Sequence, residues 1–141
     1  MPFVSARRAV LLVPSPPEWA VKDTLHPHVA ITDGADIEGH AKNSLLIVSL
    51  SSVKPNSRHD KACVLPAGCH AAVPLDSFAR YDKTQFVSSV HIQQGIMSGR
   101  FVPRDPLDDD LCLLLENGLL ASDRTPLYLK KIYAEIVGIR L

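Results

Sequence analysis

Short apolar runs, each closed off by proline, glycine or aspartate, set the rhythm of the first hundred residues. Ala9 to Val13, Val29 to Thr32 and Ser44 to Leu50 are rich in β-branched or large apolar side chains, which predicts buried strands. Between the second and third run, Asp33 to His40 carries turn chemistry throughout, and Pro55-Asn56-Ser57 opens a loop after the third. Lys61 to Leu65 has strand character, Pro66-Ala67-Gly68 makes a turn towards Ala72-Val73-Pro74, and Phe78 to Tyr81 and Gln85 to Val90 extend the pattern. Several short strands at close spacing, with no long helix expected before position 100, favour a sandwich or small barrel over a βαβ design. A barrel has the further merit of hiding its sheet edges.

The last third changes period. Asp105-Pro106 has the form of an N-cap followed by proline at the first helical position, and Leu107, Leu111, Leu114 and Leu115 follow at helical spacing. Gly118 can end or interrupt that helix. Thr125-Pro126 repeats the start signal, and Leu127, Leu129, Ile132, Tyr133 and Ile136 supply an apolar stripe with Lys130, Lys131 and Glu135 facing away. The expected organisation is one domain over 1–141, a barrel to about residue 103 and helices over about 105–137.

Composition agrees with a packed core: of 141 residues, 46% are apolar and 21% charged. The longest apolar runs fall far short of the roughly 20 residues of a membrane helix. Arg7-Arg8 before Ala9 to Val13 imitates a signal peptide, but the run is short and Pro14-Ser15-Pro16-Pro17 follows, so a first strand is expected instead. Three cysteines, Cys63, Cys69 and Cys112, are an odd number at no framework spacing, which points to a reducing compartment and a cytoplasmic location. Cys63, Cys69 and His70 lack zinc-site spacing and a fourth ligand, so no metal and no cofactor is expected. His28, His40, His59, His70 and His91 are assigned to surface or loops.

Net charge is zero, yet its distribution is uneven. Lys54, Arg58, His59 and Lys61 make one loop cationic, while Asp105, Asp108, Asp109, Asp110 and Glu116 gather where a helix starts, a placement the helix dipole favours. Both clusters are expected to be solvated surface. Nucleotide loops, zinc-protease helices, nucleophile elbows and dinucleotide turns are missing from the sequence.

What remains is an order of features: His26-Pro27-His28-Val29-Ala30-Ile31, then Leu46 to Ser52, then Ser77-Phe78-Ala79-Arg80-Tyr81-Asp82, then Gly99-Arg100-Phe101. This succession resembles the MazF/PemK (Kid) toxin family over about residues 24 to 120. There a basic residue precedes proline at the start of an apolar strand, a later strand ends in a Pro-x-Thr-Ser-like sequence, and PemK-like members carry Arg-x-Asp on a further strand. Two positions depart from the pattern: the usual opening Gly-(Asp/Glu)-(Ile/Val) has no counterpart in Ser5 to Val10, and His26 stands where the family has arginine.

The resemblance implies a type II toxin that cleaves single-stranded RNA without a metal, acts as a homodimer and is held inactive by an antitoxin protein. It also sharpens the expected fold to α+β, a small, mostly antiparallel Src-homology-3-like β-barrel with C-terminal helices. Cleavage by the ribose 2′-hydroxyl needs a base, an acid and stabilisation of the phosphorane. The resemblance assigns Asp82 as base or acid, Arg80 as phosphate clamp, His26 as the second proton-transfer group and Ser51 as a donor to the phosphate, with Lys54, Arg58 and Lys61 along the RNA backbone. A non-catalytic barrel that binds a protein or nucleic acid is the alternative. An enzyme needs His26, Arg80 and Asp82 within reach of one phosphate, whereas a binding module tolerates them scattered.

Overall fold

The structure is a computed structural model and describes residues 3–14 and 25–141. The stretch Ser15-Pro16-Pro17 expected after the first strand lies outside the described residues. Six strands form one antiparallel sheet, curled into half a barrel. They are β1 (Val10–Pro14), β2 (Leu25–Ala30), β3 (Ser44–Ser52), β4 (Val64–Leu65), β5 (Ser77–Ser88) and β6 (Val102–Arg104), in the order β4-β5-β3-β2-β1-β6. Three helices complete the α+β fold: α1 (Ser89–Met97), α2 (Asp109–Ala121) and α3 (Leu127–Val137). None of the described helices is long and apolar enough to cross a membrane.

Alternation along the strands divides the interior in two. Val10, Val29, Leu46, Val48, Leu50, Ala79 and Tyr81 face one way and pack with Leu115 and Leu119 of α2 and Leu129 and Tyr133 of α3. Leu11, Ala30, Leu45 and Ile47 face the other way, beneath Ile92 of α1 and Phe101. Both faces of the central strands are therefore covered, which accounts for the unbroken burial from Ser44 to Val48.

Four expectations need correction. The strand expected to reach Val90 stops at Ser88, where the short helix α1 takes over; the Ser88 hydroxyl accepts the His91 amide at 3.1 Å and caps that helix. Phe78 to Tyr81 and Gln85 to Val90 belong to one strand, β5, not two. The helix expected at Asp105 begins at Asp109 with Asp108 as its cap, because Leu107 is held outside it: its amide donates to the Arg8 carbonyl at 2.8 Å and its side chain is buried. Gly118 neither ends nor interrupts α2; it lies inside the helix, where a Cβ would stand 2.2 Å from the Tyr81 hydroxyl.

The acidic cluster is also more than a solvated helix start. Arg7 bonds Asp109 at 2.6 Å and Glu116 at 2.7 Å, and Glu116, only 6% exposed, accepts the Tyr133 hydroxyl at 2.9 Å. Arg7, the first of the two arginines that imitate a signal sequence, thus ties the segment before β1 to α2 and, through Tyr133, to α3. Burial leaves the Tyr133 hydroxyl well above its ordinary pKa, with the Glu116 hydrogen bond acting in the same sense.

Candidate functional site

The irregular part of β5 holds the Arg-x-Asp sequence. Ile47 pairs with Gln85 but Ser49 pairs with Arg80, so residues 81–84 of β5 face the single residue Val48 of β3. At this bulge Arg80 and Asp82 meet in a two-pronged ion pair: Nε donates to Oδ1 at 3.0 Å and Nη2 to Oδ2 at 2.8 Å. The guanidinium holds the Asp82 carboxyl below its usual range, leaving it ionised at neutral pH. Arg80 also lies 6.0 Å from the centre of the Phe78 ring.

Cross-strand register places the other expected residues. Arg80 pairs with Ser49, and Ser49 pairs with His28, so these three form a row across β5, β3 and β2 on the face that α1 partly covers. With strands about 4.8 Å apart, the ends of this row are about 10 Å apart at the backbone. Ser51 pairs with Phe78 and His26 lies two residues from His28, so both share the same face. Recorded pairing between β2 and β3 ends at His28, one residue short of Pro27, which has no amide to give. His26 pairs instead with Val13 of β1, and Ser51 with Phe78 of β5.

The cationic loop behaves differently. Its end is pinned: the Ser122 hydroxyl donates to Asp60, the Ala62 amide donates to the same carboxylate at 2.9 Å, and Arg124 donates to the Arg58 carbonyl at 3.0 Å. His59 packs its ring 5.2 Å from that of Phe78, which brings the loop to the border of the Arg80 face. Lys54, Arg58 and Lys61 are exposed, and no hydrogen bond or ion pair joins them to Arg80 or Asp82 among the described residues.

His28 is the residue that sequence reasoning missed. It is half-buried on β2, not on a loop, and its Nδ1 lies 3.1 Å from the His26 carbonyl oxygen. A carbonyl only accepts, so Nδ1 carries the proton and Nε2 keeps its lone pair. Burial of the ring pushes its pKa down and keeps it neutral. The signal was available, since strict alternation puts His26 and His28 on one face. His28 also borders a cavity of about 350 Å³ between α1, the sheet and the loop before β3.

Cys63 and Cys112 are buried thiols and Cys69 is half-buried, all three unpaired. Burial pushes the Cys112 thiol up to about 11, far from the reactive thiolate form. Among the described residues, no group of three or more His, Cys, Asp or Glu side chains is arranged to hold a metal ion. Comparison with family models, with curated proteins and with solved structures found no match to this chain, so the chemistry of the site rests on its own residues.

Proposed function

We propose that this chain is the toxin of a type II toxin-antitoxin pair, a cytoplasmic endoribonuclease that cleaves single-stranded RNA without a metal, as a homodimer restrained by its antitoxin. The observation that supports it most is the row His28, Ser49, Arg80, with His26 and Ser51 beside it on the same face. In this reading the curled sheet is a form of the Src-homology-3-like barrel, open between β4 and β6.

The reaction joins the ribose O2′ to the adjacent phosphorus and breaks the bond from phosphorus to O5′, leaving a cyclic phosphate and a free 5′-hydroxyl. Asp82, ionised at neutral pH, takes the O2′ proton, and His26 in its protonated form supplies one to O5′. Arg80 faces the phosphate through Nη1, which makes no hydrogen bond among the described residues, while Nε and Nη2 stay on Asp82. Ser51 donates to a phosphate oxygen, and Lys54, Arg58 and Lys61 attract the flanking backbone.

Cleavage of a long unstructured RNA in the presence of EDTA tests this, using wild type, Arg80→Ala, Asp82→Asn and His26→Ala, each verified as folded. Asp82→Asn is expected to lose about 10²–10⁴-fold in rate, and Arg80→Ala to lose RNA affinity as well. Full activity in folded Asp82→Asn removes that residue from the chemistry. The saturated Arg80–Asp82 pair favours a second reading, a non-catalytic module for a protein or nucleic-acid partner. Failure of the wild type to cleave diverse RNAs selects it.

A further inference from the structure

The 350 Å³ cavity beside His28 has a composition of its own. Among the described residues no Asp, Glu, Lys or Arg lines it. Its polar groups are the neutral imidazole of His28, the Gln85 amide, the hydroxyls of Ser44 and Ser88, and His40 and His91. Its walls are flat or aliphatic: His40 lies 5.1 Å from the Phe86 ring, His91 lies 5.7 Å from Phe101, and Leu11 and Ile47 close the floor.

Such a site repels ions and long aliphatic chains for opposite reasons: it has no charge to neutralise the first and too many polar groups to desolvate beneath the second. It suits a flat, neutral ring with apolar faces and hydrogen-bonding edges. Gln85 offers a donor and an acceptor, and His28 Nε2 offers an acceptor fixed by the bond at Nδ1. The His40–Phe86 and His91–Phe101 pairs add aromatic surface to its lining.

We propose that this cavity is a nucleobase-binding site, filled by the base of the nucleotide whose phosphate meets Arg80. The choice of ligand rests on the RNA reading above. The row of register pairs supports it, because His28 belongs both to the cavity wall and to the row that ends at Arg80. A nucleoside occupies a volume of this order, and a strand crossing the about 10 Å row places base and phosphate at its two ends.

The test is an NMR titration of the full chain with adenosine, cytidine, guanosine and uridine, with their 5′-mononucleotides, with ribose 5-phosphate, and with single-stranded pentanucleotides, intact or abasic at one position. At least one nucleoside is expected to shift the side-chain signals of His28, Gln85 and His91. Ala41→Trp, which fills the cavity from an exposed loop, is expected to weaken that nucleoside more than tenfold. Gln85→Leu removes an amide while keeping its bulk and is expected to cost about tenfold. Arg80→Ala leaves nucleoside affinity unchanged. Abasic substitution at one position of the pentanucleotide is expected to weaken it by at least as much, which assigns the base to a strand; a mononucleotide that binds more tightly than any pentanucleotide assigns it to a free nucleotide and overturns the link to RNA. If ribose 5-phosphate and abasic strands bind as well as intact ones, through Arg80, the base site is wrong while the phosphate site stands. Nucleoside binding that survives Ala41→Trp also overturns it. Nucleoside binding at His28 and Gln85 in a chain that cleaves no RNA upholds the cavity and removes the nuclease.

Discussion

At position 118 a hydrogen stands where any other residue would need a methyl group. A Cβ there would lie 2.2 Å from the Tyr81 hydroxyl and 2.8 Å from Cβ of Cys63, while that hydroxyl donates to the Leu115 carbonyl at 2.7 Å. Alanine gains about 1 kcal/mol over glycine within a helix, but overpacking a filled core costs about 1–3 kcal/mol. Gly118→Ala is therefore expected to lower stability in urea unfolding, and to lower it less when Tyr81→Phe has removed the nearest atom. An equal loss in both backgrounds would locate the strain elsewhere. Sequence alone suggests a helix breaker here because it records which residue is small, not what fills the space. The histidines teach the same lesson: alternation aligns His26 with His28, but only the packing of α1 decides which ring lines a cavity.

Among the elements, strands built from contiguous apolar residues were legible and α1 was not. Its apolar residues are spread around the axis: Ile92 is buried, while Val90 is 62% exposed and Met97 78%. Gly95, the other buried position, earns its place only from outside the helix, because a Cβ there would lie 2.1 Å from the Phe101 ring. The period that identifies a helix depends on an apolar stripe, and here part of the stripe is a glycine. Ser88→Ala is expected to cost about 1 kcal/mol by removing the cap, and to speed amide exchange over 89–97 before the rest of the sheet responds. Unchanged exchange there would mean that Phe101, not the cap, fixes the helix. The β5 bulge was equally hidden, since it exists only as a mismatch between two strands. The Arg80 and Asp82 side chains, by contrast, meet as two residues on one strand face should.

For the molecule as a whole, the sheet divides two hydrophobic layers, and the Arg7 cluster joins its first strand to the helices on one side. Glu116 accepts from both Arg7 and Tyr133, so its loss leaves the Tyr133 hydroxyl without its acceptor and Arg7 with Asp109 alone. Breaking a buried pair of this kind costs about 3–5 kcal/mol; Arg7 keeps some contact with water, which places Glu116→Ala near the lower end. Glu116→Gln retains hydrogen-bonding atoms and is expected to lose less. The urea midpoints of both variants, with unfolding followed from each layer, check this. Sequence pattern showed an arginine pair at Arg7-Arg8 and an acidic cluster from Asp105 to Glu116, but nothing in either indicated that residues 109 positions apart would meet.

The two outermost strands set a limit on how this protein joins others of its kind. β4 offers two residues, and β6 offers three with Pro103 at its centre, where one amide is missing. Neither of these two strands is long enough by itself to template another chain, but β4 pairs only with Ser77 and Phe78, which leaves the greater part of β5 beyond its cover. A second copy that meets this one at β4 or β6 therefore gains little from shared backbone bonds and relies on side-chain surfaces, whereas β5 is the strand along which a longer ladder has room to form.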